Sequence, residues 1–544
     1  MESNSTAFLI KIKLRHSLGR PSRSDFVQSE INKMEKTSSI FRKIIIWIGL
    51  VIVTFLTVTS FFQKCSFHWD ETGQVLPEMI YYEKNHFWIL GVLTLVLVFG
   101  LKKYQGWKRW SLKKMELLFF FSVIIVSIVW IAVSAPVPVA DDMMVLQSAE
   151  EIACGNYASL MAGGYLYSFT HQLGIVFILE KIYVVFGTYT VWIFRIGNVT
   201  ALCLIYLCFI KSERYMNFSE EAKKISIICM AGFIVPIFYT TFVYGNTIGL
   251  SFSIWAIYYL LKYLEDHKIK NVIIMIALAV TACVFKTNYI IPMLASVIIL
   301  LLNGIQKKRW INVLICLALF GCNIGAQTGI EKYYEQKIGA ELGGTSKILW
   351  VAMGTEEGPF ASGWYNLSLG EMLNESQESK EKQTEVAIEH IKNSAQQFKT
   401  GERNVAGFYY RKIVSQWNEP TFEALWINYH QQNQYEGKMG TVLQSVYKGK
   451  LNYLIRNWMN WWHIVILLFS MIGLWSMIKN DTYGQCALIL TVIGGFFFHI
   501  LWEGKSQYIW TYYILLIPFC ALGIEKVTAK RYCFERREKM YEKK

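Results

Sequence analysis

The sequence predicts an all-α polytopic membrane protein, and three observations carry that reading. Hydrophobic residues make up 53% of the 544 residues and charged ones only 17%. The apolar residues come in long blocks and not in the alternation of a soluble core, and short clusters of Lys and Arg separate the blocks. Blocks 44–62, 117–134 and 486–502 approach the roughly 20 residues with which a helix crosses about 30 Å of hydrocarbon. The formal charge of +14 therefore reads as topology, with membrane lipid and not nucleic acid as the expected partner.

Taken from the start, residues 1–43 read as a retained, poorly ordered, cytoplasmic basic tail (Lys11, Lys13, Arg15, Arg20, Arg23), because no small-residue cleavage site follows a short apolar core. Region 44–114 holds two expected helices, near 44–62 and 87–101, and a third follows near 117–135. Lys102, Lys103, Lys108, Arg109, Lys113 and Lys114 then fall together on the cytoplasmic side. Beyond the third helix, Pro136 and Pro138 interrupt the hydrogen-bond ladder, opening a first extracytoplasmic loop at 136–188.

Charge parity decides the short block 173–187, which holds Glu180 and Lys181. If it crossed, the basic turns at Lys211, Arg214, Lys223, Lys224 and at Lys307, Lys308, Arg309 would face outward, so it is expected on the outer surface as an interfacial helix. Further spans are expected near 190–210, 225–243, 247–262, 271–285, 289–303 and 311–327, completing a core over 115–327. A large extracytoplasmic loop spans 328–458, with helix-forming composition at 371–398 and a loop at 354–364. C-terminal spans near 459–478, 485–502 and 508–524 fill region 459–525, before a cytoplasmic basic tail at 526–544. The total is about twelve, within eleven to thirteen.

The 11 cysteines lie mostly inside apolar blocks without CxxC spacing, so neither a metal site nor a disulfide framework is indicated. Cys65 and Cys154 are the one pair that this topology leaves free to bridge outside.

This topology gathers polar residues at the outer span ends: Asp141, Asp142, His171, Gln172, Tyr244, Asn246, Lys286, Asn288, Glu503, Lys505, Gln507 and Tyr508. Adjacent carboxylates at a membrane exit read equally well as solvated helix caps, and lysines at span ends as ordinary snorkelling.

The order of these features resembles the GT-C superfamily of membrane glycosyltransferases, in particular the bacterial relatives of protein O-mannosyltransferases and of the lipid A aminoarabinose transferase. An acidic pair follows a span in the first large loop, as Asp141-Asp142 does here. Tyr-Leu-Tyr-Ser-Phe-Thr-His-Gln-Leu-Gly at 165–174 is similar to a Tyr-Pro-His-Gln-type stretch, with Thr170 in the proline position. Similar too are Phe-Val-Tyr-Gly-Asn ending at Asn246, Phe-Lys-Thr-Asn around Lys286, Met353-Gly354 with Gly363-Trp-Tyr-Asn366, and Gln-Trp-Asn-Glu-Pro-Thr-Phe at 416–422. Glu503-Gly-Lys-Ser-Gln-Tyr508 resembles a Glu-x-x-x-Arg-Tyr pattern in which Gln507 replaces arginine, leaving Lys505 as the substitute cation. The resemblance covers roughly 115–524, with the first two spans as an N-terminal addition.

The resemblance implies a hexosyltransferase that moves a sugar from a polyprenyl-phosphate donor to an acceptor hydroxyl at the extracytoplasmic face of the cell membrane, with inversion. It implies Asp141 as general base and Asp142 as a second, acceptor-orienting carboxylate, or the two neighbours in the reverse roles. Lys286 and Lys505 would steady the leaving phosphate. His171, Gln172, Tyr244, Asn246, Asn288, Glu503 and Tyr508 would bind substrate, and the 417–422 segment would cover the site. The acceptor is a glycan, teichoic acid, protein or glycolipid. The lipid-linked sugar is a substrate, no cofactor is indicated, and no cluster with metal-ligand spacing accompanies the pair. Two other readings share the topology: a flippase or transporter of lipid-linked sugars, against which the polar residues sit at span ends instead of the midplane, and a polysaccharide polymerase or ligase.

Overall fold

The computed structural model describes residues 23–69, 75–104, 106–366, 368–376, 379–431, 437–478 and 482–529. The expected tail cations Lys11, Lys13, Arg15, Arg20, Lys530, Arg531, Arg536 and Arg537 lie outside the described residues.

The chain is an all-α membrane protein with, among the described residues, one two-stranded β element. Helix α1 (Arg23–Phe62) leads into a hairpin of β1 (Gln63–Trp69) and β2 (Val75–Lys84), paired antiparallel with Cys65 opposite Tyr82. The following helices are α2 (Phe87–Lys103), α3 (Leu112–Ser134), α4 (Ala140–Ala153), α5 (Leu173–Phe186), α6 (Thr190–Ser212), α7 (Glu220–Gly232), α8 (Asn246–Asp266), α9 (Ile269–Phe285), α10 (Ile290–Lys307) and α11 (Ile311–Ile338). After them come α12 (Lys380–Thr400), α13 (Val405–Trp417), α14 (Lys450–Met477), α15 (Tyr483–Leu501) and α16 (Trp510–Thr528).

Among the described residues, nine helical stretches are long and apolar enough to cross a membrane, and ten if α7 and the bent continuation Val235–Thr241 form one span. Shorter α9 runs beside them. Their polarity is uniform: α8, α10 and α16 start, and α3, α9 and α15 finish, at the end of the bundle that carries the polar residues described below. The other helix ends carry the basic turns, including Lys102–Lys103, Lys211 and Lys307.

The core is one continuous apolar cluster through these helices. Its tightest seam joins α14 and α16, where Gly473 faces the carbonyl of Phe519 and Gly523 that of Phe469, and Ser470 Oγ donates to Leu516 O at 2.9 Å. Small residues let two backbones approach in an environment that offers no hydrophobic drive between helices. A similar approach fixes the polar end: at Gly245, just before α8, a side-chain carbon would sit 1.9 Å from the carbonyl oxygen of Phe285.

Several expectations are corrected. Residues 23–43 are helical as the first part of α1, not an irregular tail, and α1 packs against α10, α14 and α15 within the bundle. The hairpin at 63–84 was not expected. Both ends of region 328–458 are helical, because α11 runs on to Ile338 and α14 starts at Lys450; helical hydrogen bonding continues past the apolar limit of each block. Cys65 and Cys154 are not bridged: Cys65 is buried beside Trp364 and Val414, while Cys154 is exposed as a free thiol. The block 173–187 is helical and joins α6 through a break at Gly187, whose φ is 54°.

Gly245→Ala is expected to lower the thermal stability of the detergent-solubilised protein by about 1–3 kcal/mol, the usual range for overpacking. Gly100→Ala, where nothing lies within 4 Å of the new carbon, should leave it unchanged or raised. Equal melting of both variants would remove the close approach as a determinant of the fold.

Candidate functional site

The acidic pair opens α4, where unpaired backbone N–H groups and the helix dipole favour negative charge. The two neighbours point to different environments. Asp142 is fully buried; its Oδ1 accepts the Val139 N–H at 2.8 Å and its Oδ2 accepts from Gln431 Nε2. Burial pushes its carboxyl up to about 7 even though those bonds and nearby Arg195 pull it down. Arg195 itself donates to Pro136 O at 2.7 Å and to Thr241 O at 3.0 Å, so α6 holds the backbone before the pair. Asp141 is exposed, accepts from Tyr165 OH at 3.3 Å, and bears electrostatically on Lys286, Glu503, Lys505 and Tyr508.

Three of these groups, Lys286, Glu503 and Tyr508, line a cavity of about 360 Å³ together with residues that include His171, Gln172, Tyr244 and Asn288. Lys286 follows α9 immediately. Its Nζ donates to Asn246 Oδ1 at 2.7 Å and lies 4.5 Å and 4.8 Å from the ring centres of Tyr244 and Tyr508. Burial brings this ammonium down to about 7, with Asp141 and Glu503 opposing the shift. Tyr508 OH donates to Glu503 Oε1 at 3.0 Å, while Glu503 Oε2 is buried with no partner among the described residues. Burial also raises the Glu503 carboxyl to about 7. Gln172 Nε2 donates to Tyr244 OH, and the exposed His171 ring stands edge-on to Trp350 at 5.5 Å. A second, narrow, largely apolar cavity of about 30 Å³ shares Lys286, Asn288 and Tyr508 and runs between Leu250, Ile254, Ile257, Pro292 and Leu515.

Lys505 stands apart in its chemistry. Its Nζ lies 2.6 Å from Glu78 Oε1, with the two side chains only 12% and 14% exposed, and 4.8 Å from the ring centre of Tyr365. Burial alone would lower this ammonium; Glu78, Glu423 and Asp141 more than offset that and hold it well above its usual range.

The turn carrying Glu503 and Lys505 is held from below. Glu419 Oε2 accepts from Glu423 N and Ser506 Oγ, and Glu423 Oε1 accepts from Gln507 N at 3.0 Å and from Ser506 Oγ. Gln507 thus contributes its backbone here. Lys412, fully buried on α13, donates to Gly354 O and to Trp502 O, and burial takes its ammonium down to about 7. Four of the seven positive-φ non-glycine residues among the described residues, Ala135, Ala140, Phe422 and Glu423, flank the acidic pair or this turn. Such conformations cost about 1–3 kcal/mol each and persist where the surroundings over-determine them.

The structure thus draws the polar residues singled out in the sequence to one end of the bundle and separates Asp142, enclosed by protein, from the rest. Sequence reasoning missed Glu78, Lys412 and Glu423. Glu78 lies in a stretch without helical period between two spans, and the only signal there is the strand-like run Val75–Lys84. Among the described residues no group of three or more His, Cys, Asp or Glu is placed to hold a metal ion. No protein-family model matches the chain, and no curated protein matches it.

Glu78→Ala is expected to destabilise the protein by about 3–5 kcal/mol, because it leaves Lys505 buried and unpaired. Combining it with Lys505→Met should recover most of that loss. A double-mutant cycle in thermal melting measures the coupling, and additive losses would show that the pair is not a unit.

Proposed function

We propose that this protein is a membrane glycosyltransferase that moves a sugar from a polyprenyl-phosphate carrier to an acceptor hydroxyl at the extracytoplasmic face. The observation that carries the reading is Lys286: it lines a polar cavity of about 360 Å³ at one end of the bundle, and the exposed Asp141 carboxylate bears on it electrostatically. A glycosyl group on an anionic link needs that pair, a carboxylate to take the acceptor's proton and a cation to meet the phosphate. The positive-inside tendency supports the orientation, because the basic turns lie at the opposite helix ends. About twelve spans follow if α2, α9 and the bent α7 segment each cross.

In the reaction the acceptor oxygen attacks the anomeric carbon and its proton passes to Asp141. The bond from the anomeric carbon to the phosphate oxygen breaks, and the electron pair leaves on the phosphate. Asp141 suits the base because it is open to the acceptor, whereas Asp142 spends its oxygens on Val139 and Gln431 and sets the turn. Lys286 meets the charge that develops on the leaving phosphate. Lys505, committed to Glu78, orients the Glu503–Tyr508 turn. Direct attack opposite the leaving group inverts the anomeric centre.

Asp141→Asn is expected to reduce transfer from a polyprenyl-phosphate sugar by about 10²–10⁴-fold, the range for a lost general base, with melting unchanged; wild-type turnover would remove Asp141 from the chemistry. A pH dependence accompanies it. In the free protein Lys286 is charged below about 7, and an anionic ligand favours that form. Once the phosphate's own second ionisation, at pH about 6, is complete, affinity for undecaprenyl phosphate should therefore fall as pH rises through about 7, in the same direction as the ionisation of Glu503, also near about 7. Lys286→Met should weaken binding at low pH and flatten the profile. A binding curve independent of pH from 6 to 9 (roughly one unit below and two above these values) contradicts the assignment.

A further inference from the structure

Helix α11 has 28 residues and is about 42 Å long at 1.5 Å per residue. It is the candidate span least buried within the bundle, at 22%. Three polar residues nevertheless line one face: Asn323, Gln327 and Glu331, four apart and so stacked at a rise of about 6 Å. Polar side chains at membrane depth are costly unless they face protein or a cavity, and these three line the larger cavity together with Lys286. Asn323 Oδ1 is buried with no partner among the described residues, and Gln327 Nε2 has only a long bond, 3.3 Å, to Cys283 O. The stripe therefore offers hydrogen-bonding capacity that the described residues leave unused.

Its chemistry selects the ligand class. Carboxamides both donate and accept, as do the vicinal hydroxyls of a sugar ring, and the Glu331 carboxylate accepts from hydroxyls while repelling phosphate. Trp350 and Trp502, also on the cavity wall, supply apolar surface. A glycosyl group could reach this wall from the lipid-linked donor or from the acceptor. The donor is favoured, because the same cavity contains Lys286, the cation that meets the donor's phosphate.

We propose that Asn323, Gln327 and Glu331 form the wall that binds the hydroxyls of the donor's sugar, making α11 the specificity-determining helix; this rests on the glycosyltransferase reading above. The test compares binding of undecaprenol, undecaprenyl phosphate and undecaprenyl phosphoryl-glucose, -mannose and -galactose to the purified full-length protein by native mass spectrometry. The wild type should bind at least one hexosyl lipid about tenfold more tightly than undecaprenyl phosphate, the worth of one or two hydrogen bonds. Asn323→Leu with Gln327→Leu should erase that preference and leave the affinity for undecaprenyl phosphate unchanged. Gln327→Ala should reduce it partway, and serves if the double variant does not fold. A preference that survives in both variants, or a wild type that favours no hexosyl lipid, overturns the wall; survival with impaired glycan-acceptor binding would assign the stripe to the acceptor. Failure of the wider reading looks different: the wild type would bind undecaprenyl phosphate no better than undecaprenol.

Discussion

Charge at the end of an apolar bundle has to be balanced locally, and the Glu78–Lys505 pair is the point from which the rest of the polar end is built. Neither side chain has much access to water, so each is tolerable only beside the other. The pair ties the hairpin after α1 to the turn between α15 and α16. That turn is also gripped by Glu419 and Glu423 through Ser506 and Gln507, and by Lys412 through the carbonyl of Trp502. Segments more than 400 residues apart, such as 78 and 505 (|i−j| of 427), therefore meet at one fixed geometry. The N-terminal helix and hairpin belong to the site for this physical reason.

Backbone strain lies close to these anchors. Ala135 and Ala140 bracket the segment before Asp141, and Phe422 and Glu423 bend the segment beneath the 503–508 turn. Each is a left-handed residue with a β-carbon, which a relaxed chain would avoid. Arg195 holds the Pro136 carbonyl beside Ala135, Asp142 the Val139 N–H beside Ala140, and Glu419 the N–H of Glu423, while Asn428 holds the carbonyl of Ala424. Spending several side-chain hydrogen bonds on a strained turn makes little sense for stability alone. It makes sense where a carboxylate must be presented at a set position.

Much of this was legible in the sequence, and the reason is periodicity. Apolar blocks of span length located the helices, and Lys and Arg clusters located the ends opposite the polar residues, because both signals are local. Local pattern also brought Lys286, Asn246 and Tyr508 into one set, since each sits at a span end. Long-range charge pairing was not legible. Glu78 has no neighbour in sequence that reveals Lys505, and Lys412 looks like any helix-surface lysine until Gly354 and Trp502 fold over it. Nor could sequence separate Asp141 from Asp142: adjacent residues at the start of a helix differ by about 100° in direction, and only the packing of Gln431 shows which one turns inward.

The two lysines illustrate what such pairing does to chemistry. Lys286 and Lys505 share a site, yet one is brought down to about 7 and the other is held above its usual range. The difference is the partner: Lys286 has a neutral amide oxygen and two aromatic faces, whereas Lys505 has a carboxylate at 2.6 Å. A cation already neutralised by a buried carboxylate has little left for a ligand, because an incoming anion must compete with Glu78. A cation held only by an amide and aromatic rings gains most when an anion arrives. The arrangement thus separates a structural charge from an available one, and the available one, Lys286, lines the polar cavity.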